Sequence, residues 1–317
     1  MTLLESFEQG KILGFGMPSR VIDTILSKVF LFGDRVVKLY KHEKAFYGDL
    51  TDADFRKAFY AEDFYWNHFM SPEVYQKLVA VTLDGTEDFY IEMAYVDGHQ
   101  SLTTLLPAGK IDKRMMMKCI EELVKKLRSI SVEHRVKLEP LFSRGVLSLH
   151  LESLEDLRAF ACMAEAYIPR HDADRMVDML IERSKSDPYF SDNTRHHVSA
   201  AIDNNPDNIL VINESVHFMD IMPPKENWRV ADEYLTIARH VVDAFVLGGE
   251  DFGKSVHKEC GKYREKISDT AMWIYEIRSG MIQWAYRHML GQHDLAEKYR
   301  EFTEKRVLEL QGIKNSV

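Results

Sequence analysis

Three cysteines in 317 residues, Cys119, Cys162 and Cys260, stand far apart and in no metal-binding spacing. That excludes a disulfide framework and a zinc module, and reads as reduced, buried thiols. No apolar run reaches the length of a membrane span. The opening MTLLESFEQGK carries Glu5 and Glu8 where a secretory signal needs a basic stretch and an apolar core. Low-complexity segments and sustained repeats are also missing. Positive charge is in deficit, 41 Lys and Arg against 50 Asp and Glu for a net charge of −9, which suggests neither a nucleic acid nor an anionic membrane as partner. The 13 histidines are scattered, with His196-His197 the single adjacent pair and no zinc spacing. These absences set the expectation of a cytoplasmic protein that binds neither nucleic acid nor membrane. What is present, 45% hydrophobic residues over this length, suffices for one large two-lobed domain or two small ones.

The most informative stretch is DNNPDNILVINESVHFMD, Asp203 to Asp220. Ile209 to Ile212 and Val216 to Met219 are β-prone runs separated by Asn213-Glu214-Ser215, which reads as a hairpin. Such a hairpin returns Asn208 beside Asp220, because directly opposed positions lie roughly 5 Å apart. An amide oxygen and a carboxylate at that separation suit Mg²⁺, which completes its shell with phosphate and water. Asp203, five residues before Asn208, adds a free carboxylate. Asp, five positions, Asn, hairpin, Asp is the arrangement of kinase-like phosphotransferases, where the first Asp accepts the acceptor's proton and the other two residues hold metal. Taken alone the stretch reads equally as an Asx turn leading into an ordinary hairpin. The other half of such a site has to be found elsewhere, in order.

Val29 to Phe32 and Val36 to Tyr40 bracket a Gly33-Asp34 turn and read as a second hairpin. Lys38 sits among apolar neighbours there. A lone strand lysine ordinarily snorkels to water, unless a partner carboxylate is at hand. The segment from Asp52 to Met70 has a helical stripe of Phe55, Phe59, Trp66, Phe69 and Met70, and Glu62 and Asp63 fall in its gap. One of them paired with Lys38 would complete the lysine–helix ion pair that kinases use on the α- and β-phosphates.

TxxSxVFLxGDRxxK from Thr24 to Lys38 and NxxxxPxVY from Asn67 to Tyr75 then occur in the right order. With them the chain resembles the aminoglycoside phosphotransferase-like kinases, a branch of the protein-kinase-like superfamily, from about Thr24 through its C-terminal helices. The resemblance implies an α+β protein-kinase-like bilobal fold: residues 1–97 as an N-lobe of antiparallel sheet plus one helix, and 98–317 as a mainly helical C-lobe with the catalytic and metal loops. It implies Lys38 as phosphate-binding lysine, paired by spacing with Asp63 and with Glu62 as neighbour candidate. The turn Thr24 to Ser27 would meet phosphate, and the backbone from Met93 to Val96 would meet adenine. Asp203 becomes the catalytic base, Asn208 and Asp220 the metal ligands, and Arg229 with Asp232 a structural brace.

Two departures stand out. The family's His-Gly before the catalytic Asp is Ala201-Ile202 here, and two positions after Asp203, where the family has His, stands Asn205. Two literal motifs are decoys. Asp251-Phe252-Gly253 lies too far beyond Asn208 to face it across a hairpin. GGEDFGKS, Gly248 to Ser255, matches a phosphate-binding loop letter for letter, yet it follows a helical segment where a buried strand is required. Gly248-Gly249 reads instead as a helix end and turn. The expected function is therefore an ATP- and Mg²⁺-dependent phosphotransferase acting on a hydroxyl of a small molecule. The alternative is a nucleotide-binding pseudokinase serving as a regulatory module. A protein kinase ranks last, since little chain separates Asp220 from the next helix.

Overall fold

The computed structural model describes residues 1–45, 48–163, 167–191, 198–223, 225–263 and 267–312. The expected His196-His197 pair lies outside them. From the N-terminus come α1 (Leu3–Glu8), β1 (Arg20–Asp23), β2 (Ser27–Phe32), β3 (Arg35–Tyr40), the short pair β4 (Lys44–Ala45) and β5 (Gly48–Asp49), α2 (Ala53–Met70), β6 (Tyr75–Leu83) and β7 (Thr86–Ala94). There follow α3 (Leu102–Leu105), α4 (Lys113–Glu133), α5 (Arg135–Phe142), α6 (Val146–Ala161), α7 (Arg170–Ser186), α8 (Pro188–Ser191), β8 (Val198–Ala200), β9 (Ile209–Ile212), β10 (Ser215–Phe218) and β11 (Val230–Asp232). Last are α9 (Glu233–Gly248), α10 (Glu250–Glu259), α11 (Asp269–Met289) and α12 (His293–Gly312).

The chain divides into two compact units, 1–100 with 208–225 and 101–207 with 226–317. The hairpin carrying Asn208 and Asp220 falls in sequence within the segment expected as the C-lobe; by packing it belongs to the first unit.

In the first unit an antiparallel sheet runs β1-β2-β3-β7-β6. Strand period decides what each face carries. On β3, Val37 and Leu39 join Phe30 and Tyr90 in a core sealed by Leu3 and Phe7 of α1 and by Phe15. The alternate residues Lys38 and Tyr40 are buried too, and lie with α2. Helix α2 starts at Asp52, whose side chain caps the N–H of Phe55. Its buried stripe is Arg56, Phe59, Tyr60, Asp63, Trp66, Asn67 and Met70, so the gap in the apolar pattern is filled by Asp63. Gly10, with φ +63°, ends α1 where the chain turns left-handed, and Lys11 N–H reaches back to the Ser6 carbonyl.

The second unit is built of helices. Its small β8–β11 ladder pairs Ala200 with Val230 and holds the loop that begins at Ala201. Buried apolar faces of α4, α6, α7, α9 and α11 form its core. Among the described residues no helix is long and apolar enough to cross a membrane.

Candidate active site

In the first unit the hairpin geometry follows from its turn. β9 and β10 pair Ile212 with Ser215 and Ile209 with Phe218, leaving Asn213 and Glu214 as a two-residue loop with φ of 49° and 62°. Two positive φ values match the strand twist. The ladder continues one step to Met219 N–H on the Asn208 carbonyl at 2.8 Å. Asn208 Nδ2 then donates to the Asp220 carbonyl at 3.1 Å, so the two expected metal ligands lie together as the spacing predicts. Asp220 itself is left-handed at φ 49°. Its backbone is pinned by its N–H on the Tyr75 hydroxyl at 2.7 Å, while its side chain stays 57% exposed.

Lys38 does not snorkel. Its ammonium is buried, 3.2 Å from Asp63 Oδ2 and 2.5 Å from Asp220 Oδ1, with the Tyr40 ring centroid at 4.8 Å. Asp63 is held in turn by Asn67 Nδ2 at 2.8 Å, and Asn67 Oδ1 accepts the N–H of Ile221 at 3.0 Å. One asparagine thus ties the lysine's helix partner to the hairpin. Burial alone would lower the Lys38 pKa, but Asp220 and Asp63 outweigh it and hold the ammonium well above its ordinary value. Burial pushes the Asp63 carboxyl up, against the pull of Lys38. Glu62, the neighbour candidate, is half-buried and adjacent; the carboxylate beside Lys38 on α2 is that of Asp63.

In the second unit the loop after Ala201 carries a half-buried Asp203. Asn205 Nδ2 donates to Asp203 Oδ1 at 2.8 Å. The orientation of that amide is forced. Its oxygen accepts from Arg239 Nη2 on α9 and from Gln283 Nε2 on α11, both at 2.5 Å, and neither donor could face an NH₂ group. Gln283 is held by Arg287 Nε at 3.1 Å, and Arg287 reaches Asp207 at 2.6 Å. Asn205 is therefore itself a brace for Asp203.

No protein-family profile and no curated protein matches the sequence. Solved structures do match. The GDP complex of aminoglycoside 2′-phosphotransferase-IIIa superposes with a TM-score of 0.54 at 13% identity, over 96% of this chain and 97% of its own. A ternary complex of a thermostable aminoglycoside phosphotransferase APH(4)-Ia mutant with AMP-PNP and hygromycin B gives 0.54 at 12%, over 95% and 97%. Choline kinase from Cryptosporidium parvum Iowa II gives 0.54 at 11%, over 94% and 90%. The chain has the aminoglycoside phosphotransferase-like kinase fold.

Within that kinase-like fold the other expected positions take definite places. Ser27 begins β2 and is buried. The Thr24 hydroxyl donates to the Ser27 carbonyl at 2.8 Å, and the two hydroxyls lie 2.9 Å apart, so the Ser27 hydroxyl closes its own turn. Met93 is paired to Val36 on one side and Tyr75 on the other, whereas Val96 lies beyond the end of β7. Asp232 caps α9 through the N–H of Tyr234 and accepts the hydroxyls of Tyr189 and Tyr275; Arg229 accepts the Ala201 N–H on its carbonyl. Asp251 to Gly253 lie inside α10, and Gly249, at φ 93°, separates α9 from α10, so neither literal motif forms a nucleotide loop. Sequence reasoning gave no role to Asn67, Tyr75, Arg239 or Gln283. Asn67 and Tyr75 had a signal, since both are fixed letters of NxxxxPxVY; the other two had none.

Proposed function

We propose that the protein is an ATP- and Mg²⁺-dependent phosphotransferase that moves the γ-phosphoryl group to a hydroxyl of a small molecule. The observation that carries this reading is the buried Lys38 ammonium between Asp63 and Asp220, with Asn208 bound to the Asp220 backbone. That set has the chemistry of a phosphate and hard-cation site. Among the described residues no group of three or more His, Cys, Asp or Glu could hold a metal by itself, and Mg²⁺ needs only one or two protein carboxylates, taking the rest from phosphate and water. Bound Mg²⁺-ATP supplies the phosphoryl group and the charge neutralisation of its transfer.

The chain's own residues divide the remaining work. Lys38 is shared by two carboxylates, so it can lose Asp220 to a metal and remain paired with Asp63. The exposure of the Asp220 side chain leaves it room to turn. The backbone past β7 at Val96 is suited to adenine, Met93 being committed on both sides to the sheet. Asp203 orients the acceptor hydroxyl and takes its proton, fixed by Asn205. Such catalysis is mostly positioning and electrostatics. The nucleotides in the neighbours' complexes, GDP and AMP-PNP, and the hygromycin B beside one of them support a nucleotide-dependent reaction on a small molecule. A pseudokinase was motivated by Ala201 and Asn205; the hold of Asn205 on Asp203 speaks for activity.

The test is a thermal-shift titration with ATP, with and without Mg²⁺, on wild type and Asp220→Asn. At a hundred times Kd a ligand adds about 2.7 kcal/mol. A rise that requires Mg²⁺ and is lost in Asp220→Asn is expected, with Asp203→Asn still binding nucleotide. The absence of any rise with ATP or GTP sinks the proposal.

A further inference from the structure

One side chain in the helical unit lacks what its position demands. Arg278 lies on α11, half-buried, with its Nε buried and without a hydrogen-bond partner. Other buried guanidinium groups have at least one partner: Arg56 donates to Asp88 and to the Leu50 carbonyl, Arg287 to Gln283, Gln292 and Asp207, and Arg239 to Asn205, although Arg287 Nη2 and Arg239 Nε are themselves unpartnered among the described residues. Arg278 makes no hydrogen bond or ion pair among the described residues. Asp156, a carboxylate whose charge it feels, is engaged by Trp228 Nε1 at 2.7 Å and Asn227 Nδ2 at 3.1 Å. Arg239 adds a second positive charge in its neighbourhood. Burial, with a smaller push from Arg278, lowers the nearby His150 to about 3, so that ring is neutral.

A guanidinium partly withdrawn from water without an anion is unfavourable, and its buried, unsatisfied Nε calls for an explanation. Among the described residues none is bound by it, so no hydrogen bond or ion pair of the fold accounts for its place. A chain of net charge −9 has no general attraction for anions, so any such attraction must be local.

We propose that Arg278 anchors an oxyanion subsite, so that the acceptor is a hydroxyl-bearing small molecule with a carboxylate or phosphate group held by the Arg278 fork. Planar, two-pronged donation is what distinguishes arginine for these groups. Arg239 links the subsite to the base: it stands on α9, which packs against α11, and its Nη2 fixes the Asn205 that holds Asp203. The substrate assignment rests on reading Asp203 as the base of a phosphotransferase; the anion subsite itself is testable without nucleotide.

The experiment compares the melting of wild type, Arg278→Met and Arg278→Lys in sodium phosphate, sodium malate and sodium chloride at matched ionic strength. Wild type is expected to be stabilised by phosphate or by malate beyond chloride, and the preferred salt identifies the oxyanion. Binding should weaken about tenfold or more in Arg278→Met, since charge-assisted hydrogen bonds are lost, with Arg278→Lys between. Without anion, Arg278→Met should melt no lower than wild type, because it removes an unpaired charge. Equal anion responses in wild type and Arg278→Met overturn the proposal, as does no response in wild type. So does a melt several degrees lower in Arg278→Met, which marks a structural arginine. The Mg²⁺-ATP shift on the same samples separates the two readings: it persists if only the subsite is wrong, and is lost with the anion response intact if the phosphotransferase reading is wrong.

Discussion

Replacing Lys38 by Met should destabilise the protein severely, and in a pH-dependent way. Lys38 is 3% exposed and Asp63 1%. Without the ammonium, Asp63 keeps the Asn67 amide and the Tyr40 hydroxyl as side-chain donors, in a place where burial already raises its pKa and the Asp220 charge repels it. Removing one partner of a buried pair costs about 3–5 kcal/mol. Protonation of Asp63 softens that loss. In the variant its folded pKa rises further above the unfolded value of about 3.9, so stability is lost progressively as pH rises from there through the folded pKa. The penalty is therefore larger at pH 8 than at pH 5. Lys38→Met/Asp63→Leu removes both charges, and Asn67 Nδ2 retains the Asp63 backbone carbonyl at 2.9 Å. The pair replacement should recover most of the loss, as buried ion pairs replaced by apolar residues do. Guanidinium chloride unfolding at the two pH values measures all three. A single-variant loss below about 1 kcal/mol at pH 8, the range of exposed pairs, or a double variant as unstable as the single, would refute the claim that Lys38 and Asp63 form one buried unit.

Three further outcomes are expected. Asn205→Ala strands Arg239 and Gln283 without their shared acceptor and should cost about 1–3 kcal/mol in thermal or chemical unfolding; a neutral result means the clamp is not held in solution. Acid should destabilise the helical unit, because burial lowers His150 to about 3 and His240 to about 4. Their contribution is full above the unfolded pKa of about 6.5 and fades as pH falls below it, on the order of 3 kcal/mol for His240 by pH 4. Asp243, raised by burial to about 6, takes up its proton in the folded state first and offsets part of this. His150→Phe, which keeps the stack on Phe190, should flatten the acid limb of melting temperature against pH, and an unchanged limb refutes the assignment. Gly280→Ala places a Cβ 2.3 Å from Thr303 Oγ1 where α11 and α12 pack and should cost roughly 1–3 kcal/mol; an unshifted melt would show that the helices can part there.

What could be read from the sequence was local. The β9–β10 hairpin is legible because its period and its Asn213-Glu214 turn sit within a dozen residues, and with it the meeting of Asn208 and Asp220. Lys38 was legible as an anomaly, a charge in an apolar strand, and Asp63 as the matching gap in a helical stripe. The helix α1 escaped notice, since six residues carry too short a period, and β6 went unseen although Tyr75 begins it. The brace on Asp203 was out of reach. Asn205 finds Arg239 and Gln283 across 34 and 78 residues, a distance over which no spacing rule operates, and the same residue therefore read as a loss.

The three-way hold on Asn205 makes positions 205, 239 and 283 a single heritable choice. Its amide oxygen serves two donors while its nitrogen serves Asp203, and a histidine offers no such division. Returned to position 205, histidine would bring a ring beside the Arg239 guanidinium with one acceptor at most. Relatives that carry the customary histidine should accordingly have exchanged Arg239 or Gln283 as well, and an ancestor crossing from one state to the other must have passed through a poorly satisfied intermediate. Covariation among these three sites is the mark such a crossing would leave.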